Sequence, residues 1–218
     1  MRLIAFFLLV ATAGGFAKPL STSEVAGVLA GLARRRGDSG LTASFREERH
    51  IALMNKPVVE SGVLKYLPPD KFLRQVNDPV RTLTVSDGEM LWMYFPEQNE
   101  VERYPLAGNR ALRDSMSALT AALGLENPDR LFILSGEAIA DGGHRLVLIP
   151  RRGTLRESVS AIRVQLRSDL SLETVTIDTP GGNRSVIFIR DEQAARLTPG
   201  DFRFSPPPGT RVSAPLGN

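Results

Sequence analysis

The sequence predicts a mainly β protein with helices: a single domain built around one long antiparallel sheet, with an N-terminal helix and a helical segment inserted mid-chain. Three observations support this prediction. The chain has 218 residues, which favours one domain over two. From residue 41 onward, apolar and polar residues alternate in one short segment after another, as in strands that bury one face. Two other segments repeat their apolar residues at helical spacing instead.

The first 17 residues have the layout of a secretory signal peptide. Arg2 gives a short basic start, an unbroken apolar run follows at residues 3–10, and small residues lead up to Ala17. A membrane anchor needs about 20 apolar residues, more than this segment supplies. We therefore expect cleavage after Ala17, or alternatively after Ala13, and export of residues 18–218 as a soluble domain.

The first helix is predicted directly after the signal peptide. Ser21 and Glu24 have the spacing of a capping box, and apolar residues recur at helical spacing up to Leu32. The run Arg34-Arg35-Arg36 then precedes Gly37. We interpret this run as the solvated last turn of the helix, where cations complement the helix dipole. A patch for anionic lipid is the alternative.

Strands are predicted on both sides of the inserted helical segment. Asp87-Gly88 has the signature of a two-residue hairpin loop, because both positions tolerate positive φ. The predicted strands before the insertion comprise residues 41–54, 58–66, 72–76, 82–86, 90–95 and 99–104. Those after it comprise residues 136–140, 144–150, 160–167, 172–179, 186–190 and 202–205. Short strands joined by turns in this way indicate an antiparallel meander.

The helical insertion begins with a helix over residues 110–123. Its apolar stripe consists of Leu112, Met116, Leu119 and Leu123. Asn127 and Pro128 are the residue types of an N-cap and a first helical position. They predict a second, short helix that runs into residues 131–134.

Composition and motifs argue against several classes of function. The 27 basic residues nearly balance the 24 acidic ones, so no nucleic-acid partner is expected. The chain has no cysteine and two histidines, which excludes thiol chemistry and disfavours a metal site. Motifs for a nucleophile elbow, a zinc protease or a phosphate-binding loop are missing. We predict no catalytic residue, no metal and no cofactor, and therefore no enzyme.

One charged segment, Glu47-Glu48-Arg49-His50, contains residue types that serve in acid–base catalysis. On a strand, Glu48 and His50 share one side, and Glu47 and Arg49 share the other. We interpret the segment as an exposed, charged strand face.

The apolar face of such a meander needs a partner. The sheet either stacks on another sheet or curls on itself, with the helices on its concave face. The enclosed volume is then a packed core or a ligand cavity, and base rates favour the core. Aromatic residues make up only 6% of the chain, so a cavity wall of aliphatic residues would suit acyl chains better than flat ligands. Trp92, the only tryptophan, is either at a cavity mouth or in the core.

Four segments carry a family signature when they are taken together. They are Ala43-Ser44-Phe45, Ser61-Gly62, residues 85–94 and residues 202–212. In this order and spacing, which spans nearly the whole exported chain, they resemble the outer-membrane lipoprotein carrier family, the LolA-type proteins of Gram-negative periplasms. The resemblance implies a strongly curved antiparallel sheet, an unclosed β-barrel, with the inserted helices as a lid over an apolar cavity.

The function that the resemblance implies is that of a monomeric periplasmic carrier or chaperone. It would take an acylated lipoprotein from an inner-membrane ABC complex to an outer-membrane receptor. Two alternatives stay open: a carrier of a free lipid or acyl/polyene intermediate that works with a dedicated exporter, and a structural or sensor domain without transport. The candidate cargo-binding residues of the cavity and lid are Phe45, Phe72, Leu91, Trp92, Met93, Leu112, Met116, Leu119, Val147 and Val164.

One position departs from the family pattern. The typical carriers have an arginine directly before the proline of a Pro-x-x-Phe segment, and that arginine ties the lid to the barrel. Here the aligned proline is Pro69, and Pro68, whose side chain has no donor, occupies the arginine position. Arg74, two residues past Phe72, is the candidate for a substitute latch. We therefore expect a divergent member of the family.

Overall fold

The computed structural model describes residues 17–37, 39–151 and 153–215. The predicted signal peptide lies outside these residues, apart from Ala17. The helices are α1 (Thr22–Arg36), α2 (Arg110–Gly124) and the short α3 (Gly153–Arg156). The strands of the first half are β1 (Lys18–Pro19), β2 (Gly40–His50), β3 (Val58–Leu67), β4 (Lys71–Asp78), β5 (Thr82–Ser86), β6 (Met90–Phe95) and β7 (Glu100–Pro105). Those of the second half are β8 (Phe132–Ala138), β9 (His144–Pro150), β10 (Ala161–Leu166), β11 (Leu172–Asp178), β12 (Arg184–Ala195) and β13 (Arg211–Ser213).

In this part of the chain, all thirteen strands belong to one curved sheet. The order across the sheet is β1-β8-β9-β10-β11-β12-β2-β3-β4-β5-β6-β7-β13. Neighbouring strands are antiparallel, except that β13 runs parallel to β7. β1 and β13 lie at opposite edges and do not pair with each other, so the sheet is unclosed. The predicted mainly β fold, with an N-terminal helix and a helical insertion, is confirmed.

One face of the sheet, here called the inner face, forms the core together with the helices. Leu41 of β2 pairs with Tyr66 of β3, which pairs with Phe72 of β4, and all three are buried. Residues from both long helices join the same cluster, since their apolar stripes need this face as a partner. The helical members are Val25, Val28, Leu32, Ala118, Ala122 and Leu123.

The capping box of α1 forms as predicted. The side chain of Glu24 accepts a hydrogen bond from the Ser21 amide at 2.7 Å, and the Ser21 hydroxyl accepts one from the Glu24 amide at 3.3 Å. These two bonds satisfy donors that the first turn of a helix otherwise leaves free. The helix therefore begins where the sequence predicts.

The C-terminal segment packs on the opposite, outer face of the sheet. The ring of Phe204 lies 5.8 Å from those of both Trp92 and Tyr94 on β6, measured between centroids. Phe202, at the end of a 3-10 turn (Pro199–Phe202), is fully buried. Val85, which pairs with Trp92 on this face, is also buried. A second, smaller apolar layer thus stabilises the sheet from outside.

Two predicted elements are wrong. Residues 131–134 are not helical: after a 3-10 turn (Pro128–Arg130), β8 begins at Phe132. Phe132 is fully buried while Ile133 is 49% exposed, which is the alternation of a strand. Residues 202–205 are not a strand either, because Phe202 and Phe204 pack on the outer face instead, and the last strand is β13.

Smaller differences concern element ends. β2 stops at His50 rather than at residue 54, because the Met54 amide donates to the Ile51 carbonyl at 2.8 Å and closes a turn. In the hairpin between β5 and β6, only Gly88 has positive φ, at 94°, so the loop is shifted by one residue from Asp87-Gly88. β12 extends to Ala195, and β1 and α3 have no counterpart in the sequence prediction.

The outer-face layer makes a measurable prediction. We expect Phe204→Ala to lower the free energy of unfolding by about 2 kcal/mol, since a half-buried ring is lost. Trp92 is the only tryptophan, so its fluorescence emission should shift to longer wavelength as water reaches the indole. Val212→Ala, on exposed β13, is the control. Unchanged emission in Phe204→Ala would show that the C-terminal segment does not cover Trp92.

Candidate functional site

The inner face carries five of the ten candidate cargo-binding residues. Phe45, Phe72, Leu91 and Val164 are at most 5% exposed, and Met93 is partly buried. The strand register joins them on one face, because directly paired residues of antiparallel strands point to the same side. Phe72 pairs with Ser86, and Ser86 pairs with Leu91. Leu91 is buried but lies outside the main core cluster.

Two other candidates, Trp92 and Val147, are on the outer face, and the prediction that they line the interior is wrong. Successive side chains of a strand alternate between faces. Leu91 and Met93 point inward, so Trp92 between them points outward, against Phe204. In the same way, Leu146 and Leu148 are fully buried inside and leave Val147 on the other side.

The remaining candidates lie on α2. Met116 and Leu119 are partly buried and pack against the core cluster, while Leu112 is partly buried near the start of the helix. The most buried side chains of α2 are Ala118, Ala122 and Leu123, all in its C-terminal half. The helix is therefore held more firmly at its C-terminal end than at its N-terminal end, where Leu112 lies.

The space between α2 and the sheet is filled by the core cluster, and two grooves flank the C-terminal end of α2. One groove, of about 420 Å³, is bordered by Tyr66, Pro69 and Thr120. The other, of about 730 Å³, separates α1 from the turn between β3 and β4 and is bordered by Leu29 and Pro68. In this arrangement the apolar inner face is a packed core, and the grooves mark where the packing is interrupted.

Arg36 ties α1 to the end of α2. Its guanidinium donates to the carbonyl of Leu123 and, at 2.9 Å, to that of Gly124. The last carbonyls of a helix have no partner inside the helix, so this contact satisfies them. The Arg36 side chain is only 10% exposed, and burial lowers its pKa, with the Glu192 carboxylate 4.0 Å away as a compensating charge. The interpretation of Arg36 as part of a solvated last turn is wrong.

Tyr66 packs against the same end of α2. A Cβ atom at Gly124 would lie 2.5 Å from the Tyr66 hydroxyl oxygen, so only glycine fits there. Burial raises the pKa of Tyr66, which keeps the phenol neutral in this contact. Sequence reasoning missed both Arg36 and Gly124. The sequence carries no local signal for either contact, because the partners are far apart along the chain.

The Arg74 side chain contacts residues of the sheet. It lies on the inner face with its guanidinium 4.6 Å from the centroid of the Phe45 ring. It donates to Glu47 at 2.6 Å and to Glu60 at 2.7 Å. Arg49 also donates to Glu60, at 3.0 Å. Among the described residues, Arg74 forms its hydrogen bonds with strands and not with a helix. The contact with the lid that the sequence predicts for Arg74 is made by Arg36 instead.

The charged segment of β2 alternates as predicted, but one half of it is not an exposed face. Glu47 is only 7% exposed and points inward, where two carboxylates and two guanidiniums neutralise one another. Glu48 points outward and pairs with Arg46 at 2.5 Å. Buried charges are tolerated when they are paired and hydrogen-bonded, and the balance of two against two provides this.

A family model described as "Outer membrane lipoprotein carrier protein LolA" matches residues 37–205 of the chain. The chain belongs to this family. The match starts directly after Arg36, so it contains α2 and nearly the whole sheet but not α1. The predicted family membership is confirmed.

Two relatives extend the comparison to almost the full chain. A protein of Chromobacterium violaceum named outer-membrane lipoprotein carrier protein is 30% identical over 202 residues, 93% of each chain. One of Alkalilimnicola ehrlichii with the same name is 28% identical over 212 residues, 96% of this chain and 94% of its own. An uncharacterized conserved protein of Thermus thermophilus shares the fold, with a TM-score of 0.52 at 13% identity over 88% of this chain and 99% of that one.

Within the described residues, no three His, Asp or Glu side chains gather as a metal site would require. None of the helices described is both long and apolar enough to span a bilayer.

The tie between α1 and α2 leads to a prediction about the lid. The Leu125 amide donates the last hydrogen bond of α2, to the Ala121 carbonyl. We expect Arg36→Gln to speed hydrogen exchange of this amide by about ten- to a hundredfold. This range corresponds to the loss of a charged hydrogen bond worth about 1.5–3 kcal/mol. Arg34→Gln, an exposed change in the same helix turn, is the control. Equal exchange in the two variants would contradict the tie.

Proposed function

We propose that this protein is a periplasmic carrier that binds acylated cargo between the inner face and α2, and that its cargo is a lipoprotein. The observation that carries the proposal is the inner face itself. It is a continuous apolar surface of an open sheet, and a helix rather than a second sheet covers it. Family membership and relatives named as lipoprotein carriers over 93% of the chain support the same function.

The packed interior is the cargo-free state in this proposal. α2 places Met116, Leu119 and Leu123 on the inner face, and cargo takes their place when the helix moves away. Exposing these three side chains costs roughly 5–9 kcal/mol. An acyl chain that buries about twelve CH₂ groups regains roughly 10 kcal/mol. The two terms are of similar size, so cargo and the side chains of α2 compete for the inner face, and the closing lid helps to expel the cargo at delivery.

Arg36 sets where the lid bends. It holds the C-terminal end of α2 through the carbonyls of Leu123 and Gly124. The N-terminal end has fewer buried side chains, so we expect it to swing first. α3 is its nearest restraint, through a hydrogen bond of 3.1 Å from the Thr154 hydroxyl to Asp114.

The route implied is from an inner-membrane ABC complex to an outer-membrane receptor, with the carrier acting as a monomer. A second candidate, transport of a free lipid or acyl/polyene intermediate with a dedicated exporter, is favoured by one observation. The charged cluster around Arg74 gives the inner face a polar end, which suits an amphiphile with a polar headgroup. A structural or sensor role without transport remains the third candidate.

Native mass spectrometry with organic extraction tests these candidates, on protein recovered from the periplasm without detergent. A co-purifying acylated lipoprotein supports the lipoprotein carrier. A bound free lipid supports the second candidate. A protein that is empty and also refuses fluorescent fatty acids contradicts both transport functions.

The apolar stripe of α2 leads to a prediction about cargo binding. Met116→Asp should weaken binding of a fluorescent fatty acid at least tenfold, because a carboxylate next to an acyl chain is desolvated without a partner. Ala111→Asp introduces the same charge on the exposed side of α2 and should leave binding unchanged. Circular dichroism checks that both variants are folded. Retained binding in Met116→Asp would remove this residue from the lid.

Cross-linking tests whether α2 moves. The natural chain has no cysteine, so Asp114→Cys together with Thr154→Cys introduces one pair at a side-chain contact between α2 and α3. The oxidised protein should lose fatty-acid binding and regain it on reduction, with each single variant as control. Full binding by the cross-linked protein, as verified by mass, would show that cargo enters without movement of the N-terminal end of α2.

A further inference from the structure

Three loops lie side by side at one end of the sheet. They join β2 to β3 (residues 51–57), β4 to β5 (residues 79–81) and β11 to β12 (residues 179–183). These strands are neighbours and antiparallel, so the three connections fall at the same end. A hydrogen bond of 3.0 Å from the Ala52 amide to the Asn183 side chain joins two of them. We call these fifteen residues the loop rim.

The loop rim exposes large apolar side chains. Leu53 is 97% exposed, Met54 is 52% exposed and Val80 is 44% exposed. Leu53 and Met54 belong to a hydrogen-bonded turn, because the Met54 amide donates to the Ile51 carbonyl at 2.8 Å. A leucine held almost entirely in water contributes nothing to the core. Several such residues at one end of a protein usually mark an interaction surface.

The charge of the loop rim has one sign. Lys56 and Arg81 are both exposed, and the fifteen residues contain no Asp or Glu. Of the two carboxylates that border the rim, at the strand ends, Asp178 is paired with Arg163 and Arg184. The other, Asp78 at the end of β4, is exposed. The fifteen residues of the loop rim therefore present apolar side chains next to cations, with one exposed carboxylate at their border.

We propose that the loop rim docks on a lipid bilayer with anionic headgroups, with Leu53 and Met54 inserted among the acyl chains. Apolar side chains flanked by Lys and Arg are the pattern of interfacial membrane binding. Leu53 and Met54 protrude from one loop and Val80 from another, without forming a groove, which fits a fluid surface better than a partner protein with fixed pockets. The loop rim is distinct from the inner face, so this inference does not depend on the identity of the cargo.

Vesicle binding tests the proposal on the exported protein, after mass analysis has verified that residues 1–17 are absent. The probes are vesicles of phosphatidylethanolamine with phosphatidylglycerol, and vesicles of phosphatidylcholine alone. We expect tighter binding to the anionic vesicles and weaker binding as salt is raised. The double change Leu53→Ser with Met54→Ser should lower the partition coefficient at least about tenfold. Lys56→Gln with Arg81→Gln should remove most of the salt dependence.

Matched controls carry changes of the same chemistry elsewhere on the surface. Ile133→Ser removes a side chain that is 49% exposed on β8, and Arg113→Gln with Arg190→Gln removes two exposed cations. These variants should bind vesicles as the unmodified protein does. The proposal is overturned if the unmodified protein binds neither vesicle, or if the controls weaken binding as much as the rim variants.

Discussion

The constraint on which the rest of the structure depends is that one sheet must bury its apolar face without a second sheet. A sheet that is closed into a barrel or stacked on another sheet covers itself, but this sheet has free edges at β1 and β13. Its inner face is therefore covered by α1 and α2, through residues such as Leu32 and Leu123. The lid and the core are the same residues, so the lid cannot open without exposing core.

A helical lid of this kind needs one end that is held firmly and one end that can move away from the sheet. The firm attachment is at the C-terminal end of α2, where Arg36 satisfies two helix carbonyls and Tyr66 packs on Gly124. A charged donor on the neighbouring helix α1 thus supplies a polar tie between the lid and the rest of the protein.

Local pattern predicted most of the elements, because period and turn chemistry are local properties. Thr82–Ser86, Met90–Phe95 and His144–Pro150 have the bounds that alternation indicates. What failed depends on distant partners. No local pattern shows that Phe204 packs on Trp92, or that Arg36 reaches α2 rather than water. Local pattern likewise does not separate the inward residues of β6 from the outward Trp92, because the packing partner of each face decides which side points inward.

The two edges of the sheet affect how readily copies of the protein associate with one another. Exposed strand edges are templates on which further chains pair and polymerise, and a protein that opens its core is especially vulnerable. Here β1 has two residues, one of them Pro19 without an amide donor, and β13 has three. The two outermost strands therefore offer few backbone groups on which another copy could pair.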